Sequence, residues 1–254
     1  MPSPVRCEEI DEVLVIVLDR PHVKNAIDPP MAESLAEAFD RLDAEDHLKV
    51  GVLTGEGPDF CAGMDLKAFA DGALPETRGR GLAGLTRTPP RKPLIAAVEG
   101  YAIAGGFELV LTCDIVIASQ TARFGLPEVK RGLIAAGGGI VRLAHMVPRN
   151  RAAQILLTGD TFGVVEAKEI GVVNSISPPG AAVDDAVELA HRISRNAPLA
   201  LARTKELFNV SLSLPLESAF DMVDFAVPQI LSSNDAREGA TAFAEKRQPR
   251  WSGS

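Results

Sequence analysis

Four short apolar runs, each separated from the next by a helical or loop-and-helix stretch, constrain this chain more than any other feature. Val13-Leu-Val-Ile-Val-Leu18 reads as a strand that ends at the turn-rich Asp19-Arg-Pro-His22. Asp28-Pro-Pro30 then opens a helix through about residue 46, with Leu35, Ala38, Phe39 and Leu42 on one face. Further strands are expected at Val50–Thr54, Leu94–Val98 and Ile115–Ala118, the last two separated by a helix near residues 105–113. Another strand, loop and helix pass through Phe124, Gly137 to Gly139 and Arg142. This alternation predicts an α/β fold in which every strand pair is joined through a helix. From about residue 182 the pattern is helical only, over 183–195, 198–210, 215–230 and 235–246. That change predicts a boundary: an α/β catalytic domain over 1–195 and a helical C-terminal region over 196–254. Residues 67–92, rich in Gly, Pro and Arg, are expected to form a mobile, partly helical excursion.

A chain of 254 residues can bury most of its apolar surface in one large domain, or in one domain with a small appendage. Its net charge of −8 argues against nucleic acid or an anionic membrane as a general partner, because both want a basic surface. An anionic small ligand then needs a local basic cluster. Cys7, Cys61 and Cys113 are an odd number without CxxC spacing, so free thiols in a reducing compartment are expected. No apolar run approaches membrane-spanning length and the first residues lack a signal pattern, which gives a cytoplasmic expectation.

Gly79-Arg-Gly-Leu-Ala-Gly84 satisfies the G-x-G-x-x-G dinucleotide fingerprint, but that motif should follow an apolar strand and open a long helix. Here a polar, Pro-containing stretch precedes it and Thr86-Arg-Thr-Pro-Pro90 follows, so it reads as a loop. There is no P-loop and no HExxH, and the four His are scattered. No metal is expected. A different pattern carries chemistry. After the strand at 94–98, Gly100-Tyr-Ala-Ile-Ala-Gly-Gly106 leads into a helix, and glycines at a helix start leave N–H groups open to a developing negative charge. Phe60-Cys-Ala-Gly-Met-Asp-Leu66 has the same character, and two such loops facing each other supply an oxyanion hole. Glu108 lies in the first turn of the helix, and Glu128, in Phe124-Gly-Leu-Pro-Glu128, lies on the next strand-to-loop junction. Two carboxylates beside an oxyanion hole can move protons at carbon next to a polarised carbonyl.

The stretch Pro93 to Ser119, PLIAAVEGYAIAGGFELVLTCDIVIAS, resembles the signature of the enoyl-CoA hydratase/isomerase (crotonase) superfamily. Arg20-Pro21 with Asn25-Ala26, the 60–66 loop, Phe124–Glu128 running on to Gly138-Gly139, Leu156–Gly159, Ala167–Val173 and Glu238–Lys246 extend the similarity over nearly the whole chain. The resemblance implies a spiral of ββα units followed by a helical region that trimerises, often as a dimer of trimers. It implies that the backbone N–H groups of Met64 and Gly105 hold the thioester oxygen. It places Cα and Cβ of the acyl group between Glu108 and Glu128, with Glu128 protonating Cα and Glu108 holding and deprotonating water.

Keeping both glutamates favours an enoyl-CoA hydratase, with carnitinyl-CoA dehydratase or an isomerase as alternatives and a non-catalytic acyl-CoA-binding protein as the rival class. Coenzyme A then arrives as part of the substrate and no separate cofactor is needed. Its contacts are expected at Val23, Ala26, Ala62, Asp65, Leu66, Lys67, Gly106 and Pro127, with Lys67 on a phosphate. Phe243 and Lys246 are nominated as contacts to a neighbouring subunit's nucleotide. The chain has Ala104 where many hydratases carry a third glycine and Ala135 where many carry a proline. Gly106–Leu109, Asp65–Ala68, Asn196–Leu199 and the ending Phe243–Trp251 look similar to the carnitinyl-CoA dehydratase branch.

Overall fold

The computed structural model describes residues 3–254. Its strands and helices in the first part of the chain are β1 (Val5–Ile10), β2 (Val13–Leu18), α1 (Pro29–Ala44), β3 (Val50–Gly55), α2 (Leu66–Ala70), β4 (Glu76–Thr77), β5 (Gly81–Leu82), β6 (Leu94–Val98), β7 (Tyr101–Ile103), α3 (Gly105–Val110), β8 (Ile115–Ser119) and β9 (Arg123–Gly125). They continue as α4 (Gly139–Met146), α5 (Arg149–Thr158), β10 (Phe162–Gly163), α6 (Val164–Glu169), β11 (Ser175–Ser177), α7 (Ala182–Ser194), α8 (Pro198–Ser211), α9 (Leu216–Leu231) and α10 (Asn234–Glu245).

A six-stranded sheet runs in the order β1-β2-β3-β6-β8-β11, and every pair in it except β1–β2 is parallel. All six residues of β2 are buried because the strand serves two faces. Leu14, Ile16 and Leu18 enter the main core, whereas Val13, Val15 and Val17 face α7. The period-2 alternation of side chains makes this division automatic. Ala182, Ala186 and Ala190 recur every fourth residue on α7, and this ridge packs on Val50, Val52, Ile95, Ala97 and Ile117.

The joining rule expected from the sequence fails at the first pair. β1 and β2 are antiparallel, paired from Val5↔Leu18 to Ile10↔Val13, and connected by a tight turn with Asp11 at φ 53° rather than by a helix. β1 is an edge strand, mostly exposed beyond Val5, so VRCEEI lacks the apolar run that marks the other strands. The 67–92 stretch is helical only at its start. The rest includes the hairpin β4–β5, anchored by Arg80 to Asp40 of α1 at 2.5 Å and by buried Leu82, Ala83 and Leu85. The G-x-G-x-x-G residues therefore sit in and after a hairpin.

A smaller sheet, β10-β9-β7, stands beside the large one. Phe107 of α3, Phe124 of β9 and Phe162 of β10 form an aromatic cluster with ring centroids 5.5, 5.7 and 5.9 Å apart. This cluster ties the helix carrying Glu108 to the strand that leads to Glu128. No helix among the described residues is long and apolar enough to cross a membrane.

Candidate active site

Two loops meet backbone to backbone beneath a cavity. Cys61 pairs with Ala102 as an isolated parallel bridge, with Cys61 N–H donating to Tyr101 O (2.9 Å) and Ile103 N–H to Cys61 O (3.1 Å). Gly63, at φ +92°, lies so close to the second loop that a Cβ there would stand 2.8 Å from Ala104 Cβ and 2.9 Å from Gly105 N. A Cβ on Gly106 would come within 2.2 Å of Cys61 O. Only glycine at both places allows this approach.

Met64 is framed on each side by Ile27. The Ile27 N–H donates to Gly63 O (2.8 Å) and the Asp65 N–H to Ile27 O (2.9 Å). Among the described residues, neither Met64 N–H nor Gly105 N–H donates a hydrogen bond. Gly105 opens α3, where the first N–H groups of a helix have no intrahelical acceptor. Both residues line the same cavity of about 320 Å³.

Glu108 lies in the first turn of α3 and is only 4% exposed. Its Oε1 accepts from Gly139 N–H at 2.9 Å, the N-terminal amide of α4. The loop before α4 fits closely around this carboxylate: a Cβ on Gly137 would meet Oε2 at 2.6 Å. Burial pushes the Glu108 carboxyl up to about 7; the Gly139 and Gly137 amides pull against that, and the charge of Glu128 adds to it. Glu128 sits at the start of the 3₁₀ turn Pro127–Arg131. Its Oε2 is buried without a hydrogen-bond partner. Burial raises its carboxyl too, opposed by its own backbone amide and by Arg131. Both glutamates line the cavity with Met64 and Gly105.

Of the remaining expected contacts, Ala62, Leu66 and Pro127 line this cavity, whereas Val23, Ala26, Asp65, Lys67, Gly106, Phe243 and Lys246 do not. Asp65 is engaged elsewhere. Its Oδ2 stands 3.2 Å from Arg20, which also pairs with Asp28 at 3.1 Å, and its Oδ1 caps α2 by accepting from Lys67 N–H. Asp65 thus fixes the loop that carries Met64. Lys67 is exposed on α2 and Val23 half-buried in the 3₁₀ turn Pro21–Val23. Phe243 is 87% exposed on α10, and Lys246 caps that helix in the left-handed conformation. The cavity also holds Phe69, Glu76 and Arg131, which the sequence reading did not single out, and Gly137 and Gly139 flank the Glu108 carboxylate. The signal for the glycines was present: three consecutive glycines ahead of an apolar helix mark a helix start with free amides.

Two acceptor-free amides beside two carboxyls of raised pKa suit an enzyme that polarises a carbonyl and moves protons at the neighbouring carbons. The sequence carries this class to a family. The enoyl-CoA hydratase/isomerase family model matches residues 8–254, and the chain belongs to that family. It is 41% identical over 249 residues to a carnitinyl-CoA dehydratase of Proteus mirabilis, covering 95% of both chains. The crystal structure of an enoyl-CoA hydratase from Mycobacterium marinum superimposes with a TM-score of 0.96 at 50% identity, covering 99% of this chain and 100% of that one. A carnitinyl-CoA hydratase from Mycobacterium avium matches with a TM-score of 0.81 at 37% identity over the whole of both chains. The α/β architecture is therefore the crotonase fold, as the resemblance implied.

Proposed function

We propose that the protein is an enoyl-CoA hydratase, a hydro-lyase that adds water reversibly, in syn fashion, across the 2,3 double bond of a 2-enoyl-CoA. The observation that carries this reading is the convergence of Met64 N–H, Gly105 N–H, Glu108 and Glu128 on one cavity. In this reading the two amides hold the thioester oxygen as enolate character develops, each contributing about 3 kcal/mol to the transition state. Water sits between the carboxylates; Glu108, ionised, takes its proton as oxygen adds at Cβ, and Glu128 delivers a proton to Cα. The unpartnered Oε2 of Glu128 is the acceptor-side counterpart of the two open amides. Coenzyme A enters as part of the substrate, along Ala62, Leu66 and Pro127 and outward past Val23, Ala26 and Lys67, and no cofactor is required.

The same proposal makes residues 196–254 the oligomerisation region of a cytoplasmic homotrimer or dimer of trimers. Phe208 of α8, Leu212 just after it, and Phe220, Phe225 and Leu231 of α9 are all exposed, more apolar surface than a single chain ordinarily leaves uncovered. In that assembly Phe243 and Lys246 reach a neighbouring subunit's nucleotide. A stable monomer in sedimentation contradicts it. A second reading, carnitinyl-CoA dehydratase, is favoured by the 41% identical relatives of that name. Loss of the enoyl-thioester absorbance of crotonyl-CoA tests the proposal. Glu108→Gln and Glu128→Gln should each lower kcat roughly a thousandfold with CoA binding retained. Near-native turnover in either variant, or CoA binding without any hydration, overturns the two-carboxylate mechanism.

A further inference from the structure

The cavity contains one cation among its lining residues, Arg131, whose charge acts on Glu128 at a distance but which is paired with no acid among the described residues. Its neighbour Lys130 pairs with Asp160 at 2.5 Å, and Arg142 donates to Thr86 O at 2.6 Å. Arg131, among the described residues, has neither an ion pair nor a side-chain hydrogen bond. It closes the 3₁₀ turn Pro127–Arg131, in which Glu128 is the second residue. Residues three apart in a 3₁₀ turn eclipse one another, with a rise of about 6 Å between them, so Arg131 shares the face of Glu128 one turn further along. An acyl chain with Cα at Glu128 has the rest of the wall for its distal part. That wall includes Leu66, Phe69, Leu133, Ile134 and Arg131, all but Leu133 of them exposed.

We propose that Arg131 sorts acyl groups by charge, so that the cavity prefers 2-enoyl chains ending in a carboxylate and turns away chains carrying a cation. The inference rests on the hydratase reading and names its substrate class. A planar guanidinium fork matches a carboxylate with two parallel hydrogen bonds, and at the solvent-exposed Arg131 that geometric match, rather than exclusion of water, carries the preference. Glu76 of β4 is the other fixed charge on the wall, also without a partner among the described residues, and it opposes the effect. Glu108 opposes it less, because burial pushes its carboxyl up to about 7, and burial raises the Glu128 carboxyl as well.

The test compares kcat/KM for an ω-carboxy-2-enoyl-CoA and for crotonobetainyl-CoA, each divided by that for crotonyl-CoA at one pH. Wild-type protein should favour the anionic thioester. Arg131→Leu should lower the anionic ratio about fivefold, the upper end for an exposed ion pair, and Arg131→Lys should restore part of it. Arg131→Glu should raise the cationic ratio, and Glu76→Gln should raise the anionic one. Ratios unchanged within twofold between wild type and Arg131→Leu overturn the proposal. Kd values of the saturated probes glutaryl-CoA and butyryl-CoA supply the same ratio without turnover. A protein that hydrates nothing yet binds glutaryl-CoA through Arg131 therefore contradicts the hydratase reading alone, whereas equal Kd ratios in wild type and Arg131→Leu contradict the charge sorting alone.

Discussion

Replacing Glu108 by glutamine should make the protein more stable at alkaline pH while removing its activity. In the unfolded chain this carboxyl titrates near 4.5, and in the folded one near 7. A folded-state pKa above the unfolded one means that the folded protein binds the proton more tightly. The associated stability is fully present below pH 4.5 and is lost as pH rises through 7. At about 1.4 kcal/mol per pH unit, ionised Glu108 costs the fold about 3 kcal/mol at pH 8. Glutamine avoids that cost and its Oε1 can still accept from Gly139, but its amide nitrogen faces the Gly137 N–H, a donor against a donor, which costs about 1 kcal/mol. The net gain is ~2 kcal/mol, or roughly 4–8 °C in Tm for a chain of this size. Thermal unfolding of both proteins from pH 4 to pH 8.5 reads it. The variant should lead at pH 8, lose its lead between pH 7 and 4.5, and fall about 1 kcal/mol behind at pH 4. A variant no more stable than wild type at pH 8 refutes the argument that this carboxylate is held charged at a cost.

The same titration governs rate: kcat/KM for hydration should rise through pH about 7 as Glu108 ionises, and a profile flat from pH 5.5 to 8 removes its role as base. Ala104 stands at φ 51°, ψ −128°, a backbone conformation costly for any residue with a Cβ. Ala104→Gly should therefore raise Tm by about 2–4 °C, since relieved strain of ~2 kcal/mol exceeds the ~1 kcal/mol of added unfolded-state entropy. Gly106→Ala must push its methyl against Cys61 O and should destabilise by about 2 kcal/mol, together with a loss of kcat as the two loops part. Asp65→Ala removes the Arg20 pair and the α2 cap together, so kcat should fall about tenfold with little change in affinity for CoA, and a double-mutant cycle with Arg20→Ala should show non-additivity.

What the sequence makes legible follows from how local each signal is. β2 and β6 are visible because a strand buried on both faces is apolar at nearly every position. β1 is not, because only Val5 is buried and the rest of the strand borrows its order from β2. Glu108 and Glu128 stand out as acids placed where the surroundings are apolar or glycine-rich, and the structure brings them to one cavity. Asp65 belongs to a visible loop, yet its partner Arg20 lies 45 positions away, and no spacing rule couples them. Arg131 is similar: nothing in Glu-Val-Lys-Arg separates a solvated cation from a cavity-lining one until the 3₁₀ turn fixes which face each residue takes.

The candidate site is also where this chain departs most from ordinary folding rules. It buries a carboxylate, holds an alanine at positive φ, leaves two amides without acceptors and leaves one carboxylate oxygen without a donor. Each departure costs stability in the unliganded protein, and each is the counterpart of something a thioester and water would supply: an oxygen for the amides, protons for the carboxylates. The large sheet offsets these costs at a distance, through side chains packed on both of its faces and the α7 alanine ridge, none of which lines the cavity. That separation explains why a change at Glu108 is expected to trade stability against activity. Equivalent changes in β2 should lose both together, because the strand contributes packing and sheet pairing but none of the cavity wall.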